Sequence, residues 1–161
     1  MAPLVLVGYS DSDYANCPDT SRSVSSHCFT LGSGMISWSS HKQRTVADSS
    51  CYAEYITLHE TAHEVTFLRA LLSALHFLLS SATTIHCDNT ATSILTENHI
   101  WHPRVKHIHM KYHAVWELVS NSKVTIAHVR SSDNTVDILT KSLNHPDFLH
   151  LQSLLGLFFL T

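Results

Sequence analysis

Charge is scarce in this 161-residue chain: Asp, Glu, Lys and Arg together make up 14% of it, and the formal net charge is −3. There is no global basic field of the kind that announces a nucleic-acid partner. The four cysteines, Cys17, Cys28, Cys51 and Cys87, form no CxxC pair and no regular spacing. That argues against a zinc ribbon, and a chain of this length needs no disulfide scaffold. They read as reduced thiols of an intracellular protein, with nothing to choose between cytoplasm and nucleus. No segment approaches the roughly 20 apolar residues that cross a bilayer, so no membrane partner is expected. The opening MAPLVLVGYSDSD lacks the charged n-region of a signal peptide. No internal repeat or low-complexity linker breaks the chain.

What is present is enough for one domain with a buried core. LVLVGYS (4–10) reads as a buried strand, and DSDYANCPDTSRSVSS (11–26) as a loop. HCFTLGSGMISWSS (27–40) has the form of a hairpin around Gly32-Ser33-Gly34. Ser49 or Ser50 can cap a long helix running to about residue 79, on which Tyr55, Leu58, Ala62, Val65, Leu68, Leu72, Leu75 and Leu79 step by three and four. TTIHC (83–87) is a fourth strand, followed by a short helix over 89–98. After Pro103 come a helix in VKHIHMKYHAVWELVSN, a fifth strand in KVTIAHV and a closing helix in NTVDILTKSL. This order predicts an α/β fold in which three antiparallel strands are followed by parallel strands reached through helical crossovers.

Histidine is abundant, with 14 copies, and one pair is conspicuous. His59-Glu60-Thr61-Ala62-His63 spells HExxH, the motif of a zinc metalloprotease helix. With Tyr55 at zero on a helical wheel, the apolar stripe centres near roughly 270°, while His59 and His63 fall at about 40° and 80°. They face solvent or another layer. The extended motif fails as well, with Thr66 and Arg69 at its Gly and His positions. The zinc-protease reading is therefore rejected. His107, His109 and His113 share one helix without a converging Cys or carboxylate and read as a solvated face.

The carboxylates are more informative. Asp11 is expected just past the first strand, Asp88 just past the fourth and Asp137 at the start of the last helix. If the first and fourth strands are parallel neighbours, both carboxylates emerge at one sheet edge, where Asp137 can join them. Such a group would suit Mg²⁺, a hard cation that prefers oxygen. Each Asp taken singly is equally a turn residue or a helix cap. Glu54 is different, because it falls at about 260° on the wheel, inside the apolar stripe. A carboxylate there must be paired, protonated or metal-bound.

Six fragments then carry a resemblance: GYSDSDYA, SRSVSSHCFTLGSGMISWSSHKQ, SSCYAEY, HCDNTA, RVKHIHMKYH and VDILTKSL. In this order they resemble the ribonuclease H domain of copia-type LTR retrotransposon polyproteins, over residues 6 to 157. The resemblance implies an RNase H fold with a five-stranded mixed sheet over residues 1–143, followed by an apolar tail over 144–161. That tail is either a last helix packed on the sheet or an exposed patch for a polyprotein neighbour. The implied acidic site carries over to Asp11, Glu54, Asp88 and Asp137, with Asp13 at most in a supporting place. Two departures stand out: Cys51-Tyr52 where relatives commonly have Thr-Glu, and Tyr14 where Trp is usual.

The reaction so implied is hydrolysis of the RNA strand of an RNA–DNA hybrid by two Mg²⁺ ions about 4 Å apart, for which Mn²⁺ can substitute. The 2′-hydroxyl is what distinguishes the RNA strand. Asn89, Arg104 and Lys106 are candidate phosphate or sugar contacts, each equally an ordinary surface residue. His128 matches a histidine that in the family assists proton transfer or product release; a buried, satisfied strand-end histidine is the alternative. In the parent elements the reverse transcriptase and integrase modules of the same polyprotein accompany this domain. A second reading is a remnant that binds nucleic acid or protein without cutting.

Overall fold

The computed structural model describes residues 4–77, 79, 81–89 and 106–158, and for residues 106–110 and 112 the backbone only. The short helix expected over 89–98 and the loop around Pro103 lie outside these residues. Five strands form one sheet: β1 (Leu6–Asp13), β2 (Val24–Leu31), β3 (Gly34–Lys42), β4 (Thr83–Cys87) and β5 (Val124–His128). Their spatial order is β3-β2-β1-β4-β5. The pairs β1–β2 and β2–β3 are antiparallel, and β1–β4 and β4–β5 are parallel. This is the mixed sheet that the element order predicts. It arises because a tight turn joins antiparallel neighbours, while a parallel return needs a crossover helix.

Helix α1 (Ser50–Ala74) supplies the first crossover and α2 (Lys106–Ser120) lies beside it. Ser49 caps α1, its side chain accepting the Tyr52 N–H at 3.1 Å. The stripe from Tyr55 to Leu72 is buried as expected. Leu58, Ala62, Val65, Leu68 and Leu72 pack on Leu6, Phe29 and Ile85 of the sheet and on Val115 of α2. The first turns are buried all round, from Ala53 through Leu58. There Gln43 Nε2 donates to the Ala53 carbonyl at 2.9 Å, and the Ser25 and Thr57 hydroxyls meet at 2.8 Å. These bonds lock the start of α1, and with it Glu54, onto β2.

The structure corrects four boundaries. Strand β1 runs on to Asp13, so Asp11 lies inside the strand instead of beyond it. Asp11, Ser12 and Asp13 pair with Ser26, Ser25 and Val24, so β2 likewise begins three residues before His27. Ladder bonds hold this polar stretch extended where hydrophobic periodicity carries no signal. Helix α1 stops at Ala74, short of residue 79. His76 adopts φ +62, with its N–H on Ser73 O and the Phe77 N–H on Leu72 O, a Schellman stop formed by His in place of Gly.

The closing helix is only one turn, α3 (Asp137–Thr140), and it is not the last. Asn134 and Thr135 are buried, and Asn134 Nδ2 donates to Ser10 O at 3.3 Å. That contact holds Asn134 extended between a 3-10 turn over Ser131–Asp133 and the turn through Thr135 and Val136 that leads into α3. A further helix, α4 (His145–Leu154), follows, capped by the Asn144 side chain. Leu155 packs with Cys28 and Val136, and its carbonyl accepts the Met35 N–H at 3.1 Å.

Gly156 closes this contact at φ +69, where a Cβ would lie 1.9 Å from Ser33 O. Gly156→Ala is expected to cost about 1–3 kcal/mol through strain at positive φ. That corresponds to a thermal midpoint lower by about 2–4 °C per kcal/mol. An unchanged midpoint would show that the segment is not anchored at the β2–β3 turn.

Candidate metal centre

Three elements deliver three carboxylates to one place. Asp11 comes from the interior of β1, Glu54 from the first turns of α1, and Asp88 follows directly on β4. Because Ser10 is the parallel partner of Cys87, the next residues along, Asp11 and Asp88, leave the pair side by side. One ligand oxygen from each of Asp11, Glu54 and Asp88 lies within 4.8 Å of the other two. Among the described residues this is the one group of three or more metal-ligating side chains so arranged. Asp11 is 1% exposed and Glu54 7% exposed.

Asp137, the first residue of α3, stands beside the group and is linked to it by a residue the sequence reading passed over. Lys141 Nζ lies 2.9 Å from Asp137 Oδ2, 3.5 Å from Asp11 Oδ2 and 3.9 Å from Asp88 Oδ2. Thr140 Oγ1 donates to Asp11 Oδ2 at 2.6 Å, and Ser131 Oγ to Asp88 Oδ2 at 2.7 Å. The spacing of Asp137 and Lys141, four residues apart in VDILTK, was the available signal for the first contact. Nothing local signals Ser131, which reaches Asp88 only through the fold.

Burial sets the electrostatics. It pushes the Glu54 carboxyl from its ordinary 4.5 up to about 8, helped by the charges of Asp11 and Asp88. Asp137 is pushed up to about 6, again first by burial, against the opposing hydrogen bond from Lys141. Asp11 is raised by burial, with Thr140 and Lys141 acting the other way. Glu54 Oε1 accepts the Ser12 N–H at 3.2 Å, whereas Glu54 Oε2 and Asp137 Oδ1 are buried with no hydrogen-bond partner among the described residues. Buried carboxylate oxygens without partners are costly unless a cation or proton satisfies them. An all-oxygen donor set with two such atoms fits a hard divalent ion such as Mg²⁺ or Mn²⁺.

The remaining candidates scatter. Asn89 follows Asp88 and is half-buried. His128 ends β5 as the cross-strand partner of Cys87 and is exposed, which corrects the alternative of a buried histidine. Asp13 ends β1 and accepts a hydrogen bond from Asn16, outside the cluster. Arg104 lies outside the described residues, as do the side chains of Lys106, His107 and His109. His113 is exposed on α2.

His59 and His63 contact each other, Nε2 to Nε2 at 3.2 Å. Burial, then His63 and Lys111, push the His59 imidazole down to about 4. His59 lies near Lys111 of α2, His63 is exposed, and among the described residues no third ligand joins them. No helix among the described residues is long and apolar enough to cross a membrane.

No protein-family model matches the chain. Individual proteins do. The chain is 36% identical over 153 residues to the retrovirus-related Pol polyprotein from transposon RE1 of Arabidopsis thaliana, covering 95% of this chain. It is 33% identical, over the same share, to that from transposon TNT 1-94 of Nicotiana tabacum. The chain spans only 10% and 11% of these relatives' own lengths.

Among solved structures, the N-terminal RNase H domain of rv2228c from Mycobacterium tuberculosis superposes with a TM-score of 0.62 at 13% identity. The match covers 92% of this chain and 96% of that one. LC11-RNase H1, solved in complex with RNA/DNA hybrid, superposes at 0.61 with 13% identity, covering 83% and 92%. Strand order, crossover helix and these superpositions agree with the sequence matches: the chain is a homologue of one segment of the retrovirus-related Pol polyproteins of transposons, and it has the ribonuclease H fold.

Proposed function

We propose that this protein is a divalent-metal-dependent ribonuclease H that hydrolyses the RNA strand of RNA–DNA hybrids. The observation that carries the reading is the convergence of Asp11, Glu54 and Asp88 from three elements onto one sheet edge, with buried oxygens left for a cation. The solved neighbour bound to an RNA/DNA hybrid and the Pol polyprotein relatives support the choice of substrate class.

In this reading Asp11, Glu54, Asp88 and Asp137 hold Mg²⁺, or Mn²⁺ in its place. Bound there, such ions would supply Lewis-acid activation of a water and charge stabilisation for the departing 3′-oxygen. The protein does the rest. Thr140 and Ser131 fix the orientation of the Asp11 and Asp88 carboxylates. Burial keeps bulk water from screening the charges that act on the phosphate. His128, exposed at the end of β5 and paired with Cys87, the residue before Asp88, exchanges a proton with the leaving oxygen through an imidazole nitrogen. Asn89, Arg104 and Lys106 contact the phosphate–sugar backbone, and the 2′-hydroxyl selects the RNA strand. Residues 1–143 form the nuclease unit and 144–161 its packed tail. In a longer polyprotein, reverse transcriptase and integrase modules are the partners.

The test is a labelled RNA–DNA hybrid incubated with the protein in Mg²⁺ and in Mn²⁺, beside Asp88→Asn. RNA-strand cleavage should fall by about a thousandfold in the variant, the scale of the several kcal/mol that a bound cation supplies to a phosphoryl transition state. Absence of cleavage by the folded protein in both metals would reject the enzyme and leave a binding remnant.

A further inference from the structure

The ion pairs of Asp11, Asp88 and Asp137 among the described residues all end on one ammonium, that of Lys141. The partners' side chains are 2%, 14% and 8% exposed, while that of Lys141 is 37% exposed. The lysine therefore sits at the mouth of the cluster and points its charge inward. It donates a hydrogen bond to Asp137 Oδ2 and lies within ion-pair distance of one oxygen each of Asp11 and Asp88. Glu54 is not among them, and its Oε2 has no hydrogen-bond partner among the described residues.

We propose that Lys141 is a resident counter-cation: it holds the acidic cluster together in the metal-free protein, and a divalent ion must displace it to load. This rests on the reading of the cluster as a metal centre.

The argument is one of shared oxygens. The oxygens nearest Nζ, Oδ2 of Asp137, Asp11 and Asp88, belong to the residues that would ligate the ion. Mg²⁺ needs its oxygens at about 2.0–2.1 Å in near-octahedral geometry, which leaves no room for an ammonium at hydrogen-bond distance on the same lone pairs. A doubly charged ion outcompetes a singly charged one at sufficient concentration. Lysine is suited to the exchange, because its charge rides on a flexible four-carbon stem. With its side chain already part-exposed, Nζ can swing out to solvent without disturbing the core. The one-turn helix α3 makes the arrangement specific, placing Lys141 four residues after Asp137 and next to Thr140, which holds Asp11. Metal loading thus becomes a threshold set by this chain's own cation.

The experiment uses the intact chain with no substrate. Mn²⁺ affinity, read from the paramagnetic resonance of free Mn²⁺, should tighten by about tenfold in Lys141→Met, while Lys141→Arg stays near the parent. In EDTA the Lys141→Met thermal midpoint should fall below the parent's, and saturating Mn²⁺ should close the gap. In the parent protein, acylation of Nζ of Lys141 by acetic anhydride, followed by peptide mass spectrometry, should rise severalfold when Mg²⁺ is added. That arm still decides the matter if Lys141→Met does not fold without metal.

Equal or weaker Mn²⁺ affinity in Lys141→Met, or acylation that does not rise with Mg²⁺, overturns the proposal. Hybrid cleavage by the parent with no affinity gain in Lys141→Met overturns the resident cation alone. An affinity gain with no cleavage keeps it and removes the nuclease. Mn²⁺ binding by neither protein overturns both.

Discussion

Glu54→Gln is expected to make the metal-free protein more stable at pH 8 while removing the hybrid cleavage proposed for it. Burial raises the Glu54 carboxyl from 4.5 to about 8. Between those values the folded protein keeps a proton that the unfolded chain has released. The stability Glu54 contributes in its protonated form is therefore complete below about pH 4.5 and is lost as pH rises toward 8. The slope is at most about 1.4 kcal/mol per pH unit. Gln has nearly the same shape and no proton to lose, so the share of the slope that Glu54 contributes disappears in the variant, and the shallower slope of Asp137 and Asp11 is left.

Urea unfolding of the two proteins in EDTA, at steps from pH 5 to pH 8, reads the difference directly. Saturating Mg²⁺ should flatten the parent's profile as well, because a bound cation stabilises the carboxylate form. Parallel profiles for parent and variant would show that Glu54 does not hold a proton in this window. On the proposed function, the same substitution removes a metal ligand and should lower cleavage by about a thousandfold. A residue whose loss stabilises the fold and abolishes turnover is there for chemistry, since its burial opposes folding.

Phe29→Ala carries the largest expected loss of stability, about 3–5 kcal/mol for a fully buried Phe. Phe29 is 0% exposed on β2. It packs with Leu58 and Val65 of α1 and Ile85 of β4, and it lies so close over Gly8 of β1 that a Cβ there would be 2.6 Å from its ring. The loss is a large share of the roughly 5–15 kcal/mol that holds a domain of this kind together. Trp38 on neighbouring β3 is the control: it is 64% exposed, and Trp38→Ala should stay within about 0.5 kcal/mol. Denaturant midpoints of both variants check the contrast. Equal midpoints would mean that the sheet-to-helix core does not hold the molecule together. Phe29 also spaces β1 from α1, the two elements that bring Asp11 to Glu54. Its truncation should therefore weaken Mn²⁺ binding along with stability.

Residues whose structural signal is local were legible from the chain alone. Strand β4, with its aliphatic and β-branched run closed by a polar turn, has the expected bounds. Helix α1 begins at the serine cap and turns its periodic leucines inward. Glu54 was conspicuous for the same reason, as a charge at a position where the period demands an apolar side chain. Two of the boundaries that differed belong to polar stretches, Asp11 to Asp13 in β1 and Asn134 and Thr135 before α3. Their conformation comes from partners distant in sequence, Ser26 and Ser10, and no periodicity records a partner.

The sequence by itself determined the order of elements, the antiparallel and parallel halves of the sheet, and the presence of an acidic residue on a buried helix face. These follow from spacing, capping and turn chemistry within a few residues. Only the tertiary structure decided that Asp11, Glu54 and Asp88 converge to within a few ångströms, that His59 and His63 meet each other with no third ligand among the described residues, and that Lys141 reaches three carboxylates at once. The physical reason is that charge–charge and metal-ligand geometry act through space over about 4 Å. Positions 11, 54, 88 and 141 come within that range only when the β1–β4 register and the packing of α1 and α3 have closed the chain.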